Sequence, residues 1–200
     1  MSGAVQPGRT APARSAREAP ARPAREAPGR AARDRSTSAV VIGVGNSYRR
    51  DDGIGPAVAA EIEGQHLPGI RVAFCDGEPA GLLDAWASTG LAVIVDAVRS
   101  VPAAPGRIHR CLPGQLGRGS LASSHGIGVP EALSLGRALG QYPRRVVIFG
   151  VEAADLGPGE GLSEAVATAL PDVVAAVAAE LRRAKVPPGS PDDSDGEPGR

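Results

Sequence analysis

Three stretches of this chain, 39–44, 91–98 and 145–151, are apolar at nearly every position, with no alternation of polar and apolar residues. A strand with one face in water alternates, so runs of this kind predict strands covered on both faces. Helical patterns stand between them. Residues 53–63 place Ile54, Val58 and Ile62 on one side of a helix, and 80–88 carry Leu82, Leu83 and Trp86 in the same way. A further strand is expected at 70–75, helices at 130–139 and from Ser163 to about Ala184, and a strand at 107–112 whose alternation places it near an edge. Strands alternating with helices predict an α/β fold, a single three-layer domain with a mostly parallel sheet between helices.

The folded domain is expected at 38–185. Residues 1–37 are Ala, Arg and Pro with eight arginines against Glu18, Glu26 and Asp34, and they repeat Ala-Arg-Glu-Ala-Pro. Such a stretch has too little apolar surface to fold, so a disordered basic tail is expected. Residues 186–200 hold Asp192, Asp193, Asp195 and Glu197 among Pro, Gly and Ser, which predicts a disordered acidic tail. The formal net charge is zero and hydrophobic residues make up 42%, which argues against a general nucleic-acid or membrane binder. No apolar run approaches the ~20 residues of a membrane span, and no stretch reads as a secretory signal, so a cytoplasmic protein is expected. The two cysteines, Cys75 and Cys111, allow neither a disulfide framework nor a cysteine zinc site and read as small buried hydrophobes.

In an open parallel sheet, function collects beyond the carboxyl ends of the strands. The first apolar run leads into Gly45-Asn46-Ser47-Tyr48-Arg49-Arg50-Asp51-Asp52-Gly53, and Asp76, Asp96 and Glu152 stand at three later strand ends. One acid there is an ordinary cap or turn residue; four on one edge suggest metal or acid-base chemistry. Of the three histidines, His66 and His109 read as surface residues. His125 lies in Ser123-Ser124-His125-Gly126-Ile127-Gly128, a glycine-rich loop where a ring can point into a cleft. With Asp52 and Asp96 it makes two hard oxygen donors and one imidazole, a set suited to a divalent transition metal. Arg49 and Arg50 read as solvated arginines.

Several familiar sites are missing. Gly43-Val44-Gly45-Asn46-Ser47-Tyr48 follows a strand as a dinucleotide fingerprint does, but Tyr48 stands where the third glycine packs, and the acidic loop after it repels a pyrophosphate. The single lysine, Lys185, lies at the end of the domain, so there is no Walker loop. No Gly-x-Ser-x-Gly elbow and no His-Glu-x-x-His helix occur.

Taken together, Val41-Ile42-Gly43-Val44-Gly45-Asn46, Asp51-Asp52-Gly53-Ile54-Gly55, Val93-Ile94-Val95-Asp96-Ala97 and Ser124-His125-Gly126 resemble, in order and spacing, the hydrogenase maturation proteases. The likeness runs from about residue 39 to about residue 184 and includes Gly150-Val151-Glu152 and Leu162-Ser163. It implies a twisted five-stranded sheet and an endopeptidase that removes a C-terminal extension from the large-subunit precursor of a nickel-iron hydrogenase. Carried over by position, the metal-contacting and catalytic residues are Asp52, Asp96 and His125, while Gly45, Asn46 and Asp51 shape the turn where substrate binds. The resemblance implies no tightly bound cofactor, since the precursor supplies the nickel. A monomer is expected, although nothing in the sequence fixes the oligomeric state. Two departures stand out: some members carry Glu where Asp52 stands, and the stretch often written Asp-Gly-Gly-Thr-x-Gly is here Asp76-Gly77-Glu78-Pro79-Ala80-Gly81. Two readings of other classes compete with the protease: a non-catalytic docking module or chaperone for the precursor, and a nucleotide-binding α/β domain.

Overall fold

Each uninterrupted apolar run forms an inner strand of one sheet. In the computed structural model, which describes residues 39–113, 122–123 and 128–185, the strands are β1 (Ala39–Val44), β2 (Ile70–Cys75), β3 (Leu91–Arg99), β4 (Ile108–Cys111), β5 (Ala122–Ser123) and β6 (Arg145–Glu152). The helices are α1 (Ile54–Gly64), α2 (Pro79–Trp86), α3 (Val129–Ala138) and α4 (Glu164–Lys185), with a 3-10 turn over Arg50–Gly53 leading into α1. The main path of the sheet is β2-β1-β3-β6-β4. The first four of these strands run parallel, and β4 closes the edge antiparallel to β6. This is the expected mostly parallel five-stranded sheet between helices. One element escaped the sequence reading, the two-residue β5, which pairs antiparallel with Val98 and Arg99 of β3.

The strand period of two sorts the inner residues between two cores. Val41, Val93, Val95, Val147 and Phe149 pack with Ile54, Val58 and Ile62 of α1 and with Val166, Val173, Val177 and Leu181 of α4. Val40, Ile42, Ala92, Ile94, Val146 and Ile148 pack with Leu82, Leu83 and Trp86 of α2 and with Val129, Ala132 and Leu133 of α3. Aliphatic side chains fill both layers, each fully buried Val, Ile or Leu contributing about 1.5–3 kcal/mol. Trp86, the single tryptophan, buries its ring and donates its indole N–H to the Gln141 carbonyl at 3.0 Å.

Two charged groups inside the protein carry no periodic signal in the sequence. Glu180 of α4 is fully buried and accepts two hydrogen bonds from Arg110 at 2.9 and 3.0 Å and another from Arg145. Glu152, at the end of β6, accepts from the Ser100 hydroxyl at 2.5 Å and the Ala104 N–H at 2.6 Å, and lies 2.6 Å from His109 Nε2. His109 is therefore not the surface residue its strand pattern suggests, since that pattern says nothing about an acid 43 residues away.

The polypeptide enters β1 and leaves α4 at the same pole. Ala39 lies beside Ile70 and Leu91, the first residues of β2 and β3, and Glu180 near the end of α4 reaches Arg145, the first residue of β6. The terminal stretches 1–38 and 186–200 lie outside the described residues, as does His125. Among the described residues, no helix is long and apolar enough to cross a membrane.

Candidate active site

At the opposite pole acids stand at or near the carboxyl ends of the strands, Asp96 three residues before the end of β3, and a glycine seats α1 closely against β1 and β3. Gly55 opens α1 between the ends of β1 and β3, so tightly that a Cβ there would collide with the Val44 carbonyl and come within 2.6 Å of the Val95 carbonyl. Asp52 precedes this glycine by three residues, and Asp96 follows Val95. No larger residue permits the same approach of helix to sheet.

Asp52 sits in the 3-10 turn with no exposed surface. The Asn46 N–H donates to its Oδ2 at 3.1 Å, and Arg49 Nη1 lies 3.9 Å from the same oxygen. Gly45 makes the turn possible: its φ is +138°, and a Cβ would strike the Asp52 carbonyl. Asn46 folds its own side chain back, Oδ1 accepting the Tyr48 N–H at 2.9 Å, which leaves its backbone N–H for Asp52.

Asp96, 2% exposed, stands in register with Gly150 of β6. By the alternation of β3 it belongs to the face that carries Ala92 and Ile94. The ladder between β1 and β3 ends at Gly43 and Val95, and β5 takes up the flank of β3 that β1 leaves, with Ser123 opposite Val98. Gly128, on the other side of the undescribed residues 124–127, packs so closely on Gly77 beyond β2 that a Cβ would collide with the Gly77 carbonyl.

Asp51 faces away from this pair. Its Oδ2 accepts the N–H groups of Ala154 and Asp155 at 2.8 and 2.9 Å and the Ser163 hydroxyl at 2.8 Å, while Oδ1 accepts the Ser163 N–H at 2.6 Å. Burial pushes its carboxyl upward in pKa, but these bonds outweigh burial and hold it below the ordinary value. Asp51 thus fastens the turn before α1 to the segment between β6 and α4. Arg50, at a φ of +45°, reinforces the junction: its N–H donates to the Gly159 carbonyl at 2.8 Å and its Nε lies 3.1 Å from Asp155. The two arginines read as solvated in the sequence are about half exposed and also paired, to a loop more than a hundred residues further along.

Glu152 is separate again, committed to Ser100, Ala104 and His109; burial pushes its pKa up, and these partners outweigh it and hold it low. Asp76 is exposed and caps its own turn by accepting the Glu78 N–H at 3.1 Å. Asp51 and Glu152 therefore brace loops, whereas Asp52 takes the Asn46 N–H and Asp96 lies within β3. Among the described residues, no three His, Cys, Asp or Glu side chains are grouped to hold a metal ion.

A doubly wound α/β domain with buried carboxylates near the carboxyl ends of its parallel strands belongs to a class of folds whose sites gather at that edge of the sheet. Residues 56–180 match the family model described as hydrogenase maturation protease, and the chain belongs to that family. It is 29% identical over 151 residues to the hydrogenase 2 maturation protease of Escherichia coli strain K12, covering 74% of this chain and 92% of that protein. Among solved structures it is similar to an endopeptidase from Escherichia coli, with a TM-score of 0.65 and 26% identity over 74% of this chain and 94% of that one. The hydrogenase maturating endopeptidase HybD from E. coli gives a TM-score of 0.62 and 25% identity, covering 73% of this chain and 93% of the other.

Proposed function

We propose that this protein is an endopeptidase that removes the C-terminal extension of a hydrogenase large-subunit precursor once nickel has been inserted. The observation that carries the reading is the burial of Asp52 and Asp96 near the carboxyl ends of β1 and β3, where Gly55 wedges against the Val44 and Val95 carbonyls. His125 is the third member. It follows Ser123, which β3 holds two residues beyond Asp96, and precedes Gly128, anchored on Gly77.

Two carboxylates and an imidazole suit nickel, so a precursor carrying the ion presents these residues with a substrate they recognise by coordination. Nickel so held acts as a Lewis acid on the peptide beside it. The protein's own part is to fix the scissile peptide against the carboxylates, which makes attack by water effectively unimolecular, to take the proton of that water on a carboxylate acting as general base, and to give it back to the nitrogen as the C–N bond breaks. Gly45 and Asn46 shape the turn that presents Asp52 to the substrate, and Asp51 keeps that turn in place. The metal arrives with the precursor and leaves with the product, so no resident cofactor is part of the reading.

The test is the intact mass of a cognate precursor after incubation with the protein, nickel-loaded and nickel-free forms side by side. Loss of a C-terminal peptide from the loaded form alone is the expected result. Cleavage of both forms discards nickel as the gate. No cleavage of a precursor independently shown to be loaded overturns the protease and favours a docking role.

A further inference from the structure

The two neighbouring arginines of the turn before α1 point to different acids. Arg50 goes to Asp155 on the loop after β6, at 3.1 Å, whereas Arg49 lies 3.9 Å from Asp52 and donates through Nη2 to the Leu156 carbonyl at 3.4 Å. The Asp52 side chain has no exposed surface, while that of Arg49 is 45% exposed. The carboxylate is thus fixed, and the guanidinium beside it can swing into solvent, its second anchor being a single carbonyl at long range. A buried carboxylate attracts any divalent cation in the cell, and a positive charge resting beside it opposes this.

We infer that Arg49 is a positioning residue that guards Asp52 against free divalent cations and is displaced when the precursor brings its own. The inference rests on the reading of Asp52 as a nickel-engaging residue and adds a selection step to it. Free Ni2+ has only its coordination to set against the guanidinium. The precursor adds the contact energy of a docked protein surface, and the arginine, once displaced, meets solvent at little cost because it is already half exposed. Charge is the operative property: the hydrogen bond to Leu156 could be replaced by an amide, but the repulsion of a metal cation could not.

The experiment titrates Ni2+ into the full-length chain by calorimetry for wild type, Arg49→Gln and Arg49→Lys, with thermal unfolding to establish that each is folded. Arg49→Gln is expected to bind Ni2+ about tenfold more tightly than wild type. Arg49→Lys is expected to bind as wild type does, and free Ni2+ is expected to inhibit precursor cleavage by Arg49→Gln at lower concentration. Arg49→Met serves as the uncharged variant if Arg49→Gln does not fold. Equal affinity in wild type and the uncharged variant, including no binding by either, overturns the inference. Tight binding by Arg49→Lys as well also overturns it, since charge would then not be the cause. Failure of the underlying reading shows separately, as undiminished cleavage of a nickel-loaded precursor by Asp52→Asn.

Discussion

Asp51 and Ser163, 112 residues apart, are joined twice: the serine N–H donates to one carboxylate oxygen at 2.6 Å and its hydroxyl to the other at 2.8 Å. The pair ties the turn before α1 to the start of α4, and with Ala154 and Asp155 it satisfies a carboxylate that has no exposed surface. Asp51→Ala leaves four donors without their acceptor and is expected to destabilise the fold by about 3 kcal/mol. Urea denaturation followed through Trp86 fluorescence measures this; a loss under about 1 kcal/mol would show that water replaces the carboxylate freely.

The same carboxylate gives the fold a pH dependence of known sign. Asp51 and Glu152 both have folded-state pKa values below their ordinary 3.8 and 4.5. Each therefore stabilises the fold fully above its ordinary value, and the contribution disappears as pH falls through the lower folded-state value. Unfolding free energy is expected to decline below about pH 5, and the double variant Asp51→Asn, Glu152→Gln to show a flatter decline from a lower plateau. Parallel acid profiles of the two proteins would contradict this.

Gly55→Ala is expected to cost about 3 kcal/mol or to force α1 away from the strands, because its methyl meets backbone carbonyls that cannot rotate aside. Gly64→Ala, where a Cβ meets nothing within 4 Å, is the control and should change stability by less than about 1 kcal/mol. Comparable stabilities for the two variants would remove the wedge from the account of the site.

Much of this arrangement is legible in the sequence, and the rest is hidden for identifiable reasons. β1 and β2 have the bounds their patterns indicate because an apolar run framed by turn residues is a local signal. The acids of the carboxyl edge are legible too, since strand ends are. What local pattern does not contain is partnership. Asp51 and Asp52 are identical neighbours, and only the segment 154–163 decides that the first turns inward. His109 and Arg110 sit on an alternating strand, and Glu152 and Glu180 pair with them from two different elements, His109 half-buried and Arg110 still 40% exposed. His125 lies outside the described residues, so its role in the proposed site comes from the resemblance alone.

Asp96→Asn keeps the shape of the side chain and removes its charge. Cleavage of a nickel-loaded precursor is expected to fall by a factor of about 100 or more, with the melting temperature little changed. Retention of more than about a tenth of the rate would show that this carboxylate does not take the proton of the water.

Glu180 offers a contrast between stability and pairing. Glu180→Met relieves a buried carboxylate of its desolvation and frees arginines that are already 40% and 44% exposed, so stability is expected to hold or rise. Arg145→Ala leaves the acid buried with a partner missing and is expected to cost about 2 kcal/mol. Denaturant midpoints compare the two; a larger loss for Glu180→Met would make the ion cluster a net source of stability.

The shared pole of Ala39 and α4's last turn has a practical consequence. A surface linker, an affinity handle or a fused domain attached through either terminus joins the folded part on the side away from Asp52 and Asp96. The protein can therefore be tethered at either end with its acidic edge turned outward, and a precursor as large as a hydrogenase subunit can approach that edge without meeting the tether at its point of attachment.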